Sequence, residues 1–130
     1  MTTELIVLAL AALLQVVQFC IYSVLGNQAV GVRYAASPRD TPRELPGYAG
    51  RSQRALNNHF EALILFTIAV LIVTLGDRAT GFSANCAWVY LGARILYIPA
   101  YYFGWAPWRS LIWFVGFLST ILMILSALIS

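Results

Sequence analysis

The sequence contains no lysine, and only 10% of its residues are charged. A soluble globular domain carries about 25% charged residues, so this composition excludes an ordinary soluble domain. With 61% hydrophobic residues, the 130-residue chain is typical of a single integral membrane domain. All basic residues are arginine, which suits carboxylate pairing and ring stacking, although a GC-rich genome would give the same bias.

Histidine and cysteine are also scarce, with one and two residues. A single histidine, His59, gives no metal-binding set, so no metal site is expected. Cys20 and Cys86 fall in separate predicted helices near opposite ends of the membrane. A disulfide is therefore not expected, and we interpret both as packing residues. No phosphate loop, nucleophile elbow or zinc spacing occurs, and no nucleic-acid partner is expected.

The hydrophobic segments predict an all-α fold, an integral membrane four-helix bundle formed by one domain, 1–130. About 20 apolar residues suffice to span a bilayer. The first segment is interpreted as a retained helix rather than a cleaved signal peptide. A signal peptide begins with basic residues, whereas this segment is preceded by Glu4 and by no basic residue. On that helix Gln15, Gln18 and Tyr22 share one face, which favours contacts between helices over ligand contact. The predicted helices are 4–25, 51–75, 84–103 and 107–129.

A loop is predicted at 26–50, because Pro38, Pro42 and Pro46 with several glycines break any helix there. It is rich in arginine, and Arg51 and Arg54 follow directly. The positive-inside rule therefore places the loop in the cytoplasm. With four spans, both termini face away from the cytoplasm, and we expect a bacterial inner-membrane location.

A polar stripe opens the second predicted helix. Arg51, Arg54, Asn58 and Glu61 are spaced three, four and three apart. At about 100° per residue, they fall within an arc of roughly 80°. Intramembrane charges of this kind usually face a bundle interior and indicate a functional site.

A second stripe lies on the third predicted helix, where Tyr90, Arg94, Tyr97 and Tyr101 are spaced four, three and four apart. Pro99 is expected to kink this helix. A structural alternative stays open for both stripes. Arg54, Glu61 and Arg94 would neutralise one another and hold the bundle together, while the tyrosines would lie at the membrane interface.

The chain resembles the MAPEG family, the membrane-associated proteins of eicosanoid and glutathione metabolism. Residues 54–61, RALNNHFE, match the family pattern R-A-x-x-N-x-x-E. Residues 94–101, RILYIPAY, match R-x-x-[YH]-x-x-x-Y, and 107–110, PWRS, are similar to the P-x-R-S that opens the fourth helix in one branch of the family.

The resemblance implies a homotrimer that binds glutathione as co-substrate between subunits. It implies that Arg109 is catalytic and stabilises the glutathione thiolate. The tripeptide would be held by six further residues: Arg54, Asn58, Glu61, Arg94, Tyr97 and Tyr101. The implied activity is glutathione-dependent transferase or peroxidase chemistry on a lipophilic electrophile, which reaches the site from the lipid bilayer.

The alternative is a non-catalytic lipid-binding or scaffold membrane protein of the same fold. Ala62 and Leu56 favour it, since some enzymes of the family have tyrosine at the first of these positions and a polar residue often stands at the second. Trp113 replaces a tyrosine of the branch that carries P-x-R-S. Arg109, Asn58 and Glu61 favour the enzyme, because each matches the family pattern.

Overall fold

The structure is a computed structural model, and it describes residues 1–30, 47–104 and 107–129. All regular structure within these ranges is helical, which confirms the predicted all-α class. The four helices, numbered here in chain order, are α1 (Thr3–Val30), α2 (Gly47–Leu75), α3 (Gly81–Tyr102) and α4 (Trp108–Ile129).

The helix bounds differ from the predicted ones mainly at the arginine-rich loop. α1 continues through Val30 instead of ending at Leu25, and α2 begins at Gly47 instead of Arg51. Both ends of the predicted 26–50 loop, 26–30 and 47–50, are therefore helical. Its proline-rich centre, 31–46, lies outside the described residues.

Three helices are long and apolar enough to cross a membrane by length and composition: Thr3–Leu25, Gly50–Leu75 and Trp108–Ile129. α3 is the exception, because its buried side carries polar groups such as Ser83, Tyr90 and Arg94. α3 also contains Pro99 and continues to Tyr102.

The core lies where all four helices meet. α1 packs mainly against α2, and α3 packs mainly against α4. Phe66 of α2 stacks on Tyr90 of α3, with ring centroids 3.9 Å apart and an interplanar angle of 6°. Both rings are almost completely buried, so this pair fixes α3 against α2 at the level of the polar stripes.

The α2–α3 connection is a tight turn in which both the end of α2 and the start of α3 are capped. Asp77 has a positive φ of 55°, and the Arg78 amide donates to the Val73 carbonyl at 2.8 Å, which terminates α2. Thr80 caps α3 through a reciprocal capping box with Ser83.

The polar face of α1 contacts α2, as predicted. His59 Nδ1 donates to Gln15 Oε1 at 2.6 Å, and both His59 and Gln18 are buried. The His59 side chain therefore contributes to the packing of α2 against α1. Among the described residues, no group of three or more potential metal ligands exists.

The arginine distribution gives a prediction about orientation. Six of the eight arginines lie in 33–54 or at Arg109, which four spans would place on the same side. We expect this side to be cytoplasmic and both termini to face away from it. A C-terminal reporter that is active only in the cytoplasm should be silent, whereas the same reporter inserted within 33–43 should be active. The reverse pattern would contradict the orientation.

Candidate functional site

Arg94 lies at the centre of the polar region between α2, α3 and α4. It is on the buried side of α3 and only 2% exposed. Its Nη1 donates to Asn58 Oδ1 at 3.0 Å, so the two predicted stripes do meet. Its Cζ lies 4.5 Å from the centroid of the Tyr97 ring, within the range of a cation–π contact.

Tyr101 lies between two further arginines, one turn after Tyr97. Arg54 Nε donates to the Tyr101 hydroxyl at 3.0 Å. Arg109 approaches the same ring from α4, with its Cζ 4.9 Å from the ring centroid. The rings of Tyr97 and Tyr101 are 5.6 Å apart. Three guanidinium groups from three helices therefore converge on one pair of tyrosines.

An open cleft of about 560 Å³ lies in front of these residues and is named here the outer cleft. Its lining includes Asn58, Tyr97, Tyr101, Arg109, Trp113 and Phe114. One side is polar and cationic, while Trp113 and Phe114 form an apolar side. A molecule with both an anionic and an apolar part fits this distribution.

A second, smaller cavity of about 210 Å³ lies between α2, α3 and α4 and is named here the inner cavity. Its lining includes Asn58, Glu61, Tyr90, Arg94, Trp113 and Phe117. Asn58 and Trp113 line both spaces, so the two are neighbours. Tyr90 and Gly116 lie seven residues from Tyr97 and Arg109, which places the inner cavity about 10 Å further along both helices.

Among the residues that the structure describes, the cations of the site have no anionic partner. Within the described ranges, no ion pair joins Arg54, Arg94 or Arg109 to a carboxylate, and Glu61 is exposed. The ion-pair network of the structural alternative is therefore not formed. A buried guanidinium without a counter-ion is costly, and it favours an anionic ligand.

The family model described as MAPEG family matches residues 4–129. The chain belongs to the MAPEG family. The match covers all four helices and every residue that lines the two spaces. No curated protein and no solved structure matches the chain. Membership in the MAPEG family indicates a membrane protein with a role in glutathione-related or eicosanoid metabolism.

The predicted MAPEG site residues take three different positions. Asn58, Tyr97, Tyr101 and Arg109 line the outer cleft. Arg54 is exposed beside this cleft and reaches it through Tyr101. Two residues line the inner cavity instead of the outer cleft: Glu61 and Arg94.

Several lining residues were absent from the predicted site. Ser110 and Phe114 line the outer cleft, and Gly116 and Phe117 line the inner cavity. Ser110 belongs to the quoted PWRS motif but was given no role, whereas the apolar surroundings of the other three give no signal in the sequence. Tyr90 did carry a signal, because it lies four residues before Arg94 in the α3 stripe, yet it matches no position of the quoted family motifs.

The two cysteines differ from each other. Both are free, as predicted, and Cys86 is buried in the core. Cys20 is exposed on α1, so it does not pack inside the protomer and the packing interpretation is wrong for it.

Proposed function

We propose that this protein uses glutathione as co-substrate in transferase or peroxidase chemistry on a lipophilic electrophile. The observation that carries the proposal is the convergence of Arg54, Arg94 and Arg109 on Tyr97 and Tyr101 with no described carboxylate paired to them. Glutathione supplies the missing anions, since it has two carboxylates and a thiol that ionises.

The charges of the tripeptide assign roles to the polar residues. Arg54 and Arg94 bind the carboxylates, because a guanidinium can donate two parallel hydrogen bonds to one carboxylate. Glu61 accepts from the ammonium group. Asn58 and Tyr101 donate to the remaining oxygens, and Asn58 also keeps Arg94 in position. The outer cleft and the inner cavity together thus distinguish glutathione from a simple thiol through both ends of the peptide.

Arg109 activates the sulfur. A free thiol of this kind has a pKa of about 8.5 and is mostly protonated at neutral pH. Arg109 lies in the first turn of α4, where the helix dipole adds to its own positive charge. Both fields favour the thiolate over the thiol. Each unit by which the thiol pKa falls corresponds to about 1.36 kcal/mol of differential stabilisation.

The thiolate then attacks an electrophilic carbon and forms a carbon–sulfur bond, while the leaving group departs with the electron pair. The lipophilic substrate approaches along Trp113 and Phe114 on the apolar side of the outer cleft. Because Phe114 is exposed on a membrane-spanning helix, this side opens towards lipid. A substrate dissolved in the bilayer reaches the sulfur without passing through water.

The test is conjugation of a chlorodinitrobenzene electrophile by the purified protein in detergent. We expect saturable turnover with glutathione and much weaker turnover with its diethyl ester, which keeps the thiol but loses both carboxylate charges. N-acetylcysteine serves as the thiol control. Equal rates with all three thiols, matching protein-free detergent, would refute the proposal.

A non-catalytic lipid-binding scaffold is the second candidate. Ala62 supports it, because this residue lines the inner cavity and leaves it wider than a tyrosine would. In that case the protein would bind an apolar molecule and show neither glutathione binding nor turnover.

We also propose that the protein assembles as a homotrimer. Arg54, Asn57 and Glu61 are exposed on one face of α2, inside a membrane-spanning segment. Glu61 lies about 16 Å along that segment from Gly50, so a lone protomer would present a carboxylate to lipid. A neighbouring copy that covers this face removes the cost.

The assembly is checked by native mass spectrometry from detergent. We expect a closed trimer at micromolar protein, and Glu61→Trp should shift the distribution towards monomer through its bulk. Phe82→Trp, an exposed position near the start of α3, is the matched control and should leave the trimer unchanged. Monomers alone from the unsubstituted protein would contradict the assembly.

A further inference from the structure

A buried polar cluster lies between α1 and α2, apart from the two spaces described above. His59 is 0% exposed and Gln18 is 1% exposed, and neither lines the outer cleft or the inner cavity. Gln18 is one helical turn from Gln15, the residue that is hydrogen-bonded to His59, so all three side chains belong to the same α1–α2 contact. Both helices are membrane-spanning here, so lipid offers these groups no hydrogen bond.

Three polar atoms of this cluster lack a partner. They are His59 Nε2 and the two polar atoms of the Gln18 amide, Oε1 and Nε2, and each is buried with no hydrogen bond to any residue that the structure describes. Buried polar groups in native proteins are nearly always hydrogen-bonded, to protein or to ordered water. The cluster therefore fits a small molecule that both donates and accepts hydrogen bonds.

The chemistry of the three atoms identifies that molecule. A neutral imidazole that donates to Gln15 through Nδ1 accepts through Nε2. Gln18 adds a second acceptor, Oε1, and one donor, Nε2. A carbonyl compound or an anion donates nothing, so it would leave both acceptors unpaired. A buried water typically makes about three hydrogen bonds, two of them as donor, which matches the three atoms.

We propose that a water molecule binds at this α1–α2 contact, where it donates to His59 Nε2 and to Gln18 Oε1 and accepts from Gln18 Nε2. The water holds His59 in the tautomer that carries its proton on Nδ1. Ala55, one turn before His59 on α2, is also fully buried, and its small side chain leaves room beside the imidazole. α1 is thus joined to α2 by a hydrogen-bonded bridge as well as by apolar contact.

The test uses the fact that His59 is the only histidine of the chain. Protein labelled with ¹⁵N-histidine and purified through a histidine-free tag gives one pair of imidazole nitrogen signals in detergent. We expect a protonated Nδ1, an unprotonated Nε2, and a cross peak to the water frequency from Hε1, the ring proton next to Nε2. A proton on Nε2, or no contact with water, would overturn the inference.

Gln18→Met tests the second side of the bridge, because it removes both amide atoms at similar volume. We expect it to weaken the water cross peak, to move the Nε2 signal and to lower the unfolding temperature. If the amide had no partner in the native protein, the same change would raise that temperature, since it would remove an unpaired buried polar group. Gln53→Met makes the same change at a partly exposed position of α2 and should alter none of these quantities.

A double variant tests whether His59 and Gln18 share the water. His59→Leu and Gln18→Met together should lower the unfolding temperature by less than the sum of the two single changes, because neither partner of the water is then left unpaired. Additive losses would show two separate sites and overturn the bridge. None of these measurements uses glutathione, so failure of the proposed thiol chemistry would leave this inference standing, and its own failure would leave the proposed function intact.

Discussion

Replacing Arg109 with alanine should lower glutathione-dependent turnover by about 10²-fold to 10³-fold, while binding weakens only modestly. This is the usual cost of removing one group that stabilises charge in the transition state. Arg109 sits beside the Tyr101 ring in the first turn of α4, where its charge and the helix dipole both favour a thiolate. A neutral thiol gains little from either, so its affinity should change little.

The measurement is the ultraviolet thiolate absorbance of bound glutathione at neutral pH, followed together with turnover. Both should fall in Arg109→Ala, and native mass spectrometry should show unchanged assembly. Arg54→Ala and Glu61→Ala are the comparison variants. They should weaken glutathione binding, because they remove contacts with the peptide ends and not with the sulfur.

The result for Arg109→Ala distinguishes two ways in which the proposed role of Arg109 could be wrong. If Arg109→Ala unfolds the protein or breaks its assembly, the residue is structural. If it turns over normally, another group activates the thiol, and Tyr101 or Arg94 is then the best candidate because both lie in the same cluster.

Arg94→Leu should weaken glutathione binding by about 2 kcal/mol or more, which is at least about thirtyfold. The same change should leave the protein at least as stable as before. Arg94 is buried, and among the described residues Asn58 is its only hydrogen-bond partner, so its charge costs free energy when no ligand is present. Loss of that charge removes its free-energy cost in the protein without ligand. It also removes the contact that binds the glutathione carboxylate.

Calorimetric titration with glutathione and thermal unfolding in detergent check both effects. Arg78→Leu is the control, because Arg78 is an exposed arginine in the α2–α3 turn, far along the sequence from both stripes. It should change neither quantity. A strong loss of stability in Arg94→Leu, with no change in affinity, would support the structural alternative.

The sequence predicted the four helices and the all-α class, although apolar length alone accounts for only three of the helices described. It placed the end of α1 too early. The sequence predicts a loop from Gly26, yet Gly26–Val30 continue the helix, since a single glycine costs only about 1 kcal/mol there. It also treated α3 as a fourth apolar span, although its buried polar side makes it less apolar than the other helices.

The two polar stripes were predictable because helical spacing fixes which side chains share a face. How the side chains of the two stripes contact each other was not predictable from the sequence. The Arg94–Asn58 hydrogen bond and the contacts of Arg54 and Arg109 with Tyr101 depend on how helices pack, and spacing within one helix does not encode that. The division into two spaces, with Glu61 beside the inner one, follows from the same packing.

Calorimetric titration of glutathione into the unsubstituted protein in detergent tests the central claim most directly. We expect saturable binding with a dissociation constant below the millimolar range, accompanied by thiolate absorbance at neutral pH. Absence of binding at millimolar glutathione would contradict it, and the lipid-binding scaffold would then be the better description of this protein.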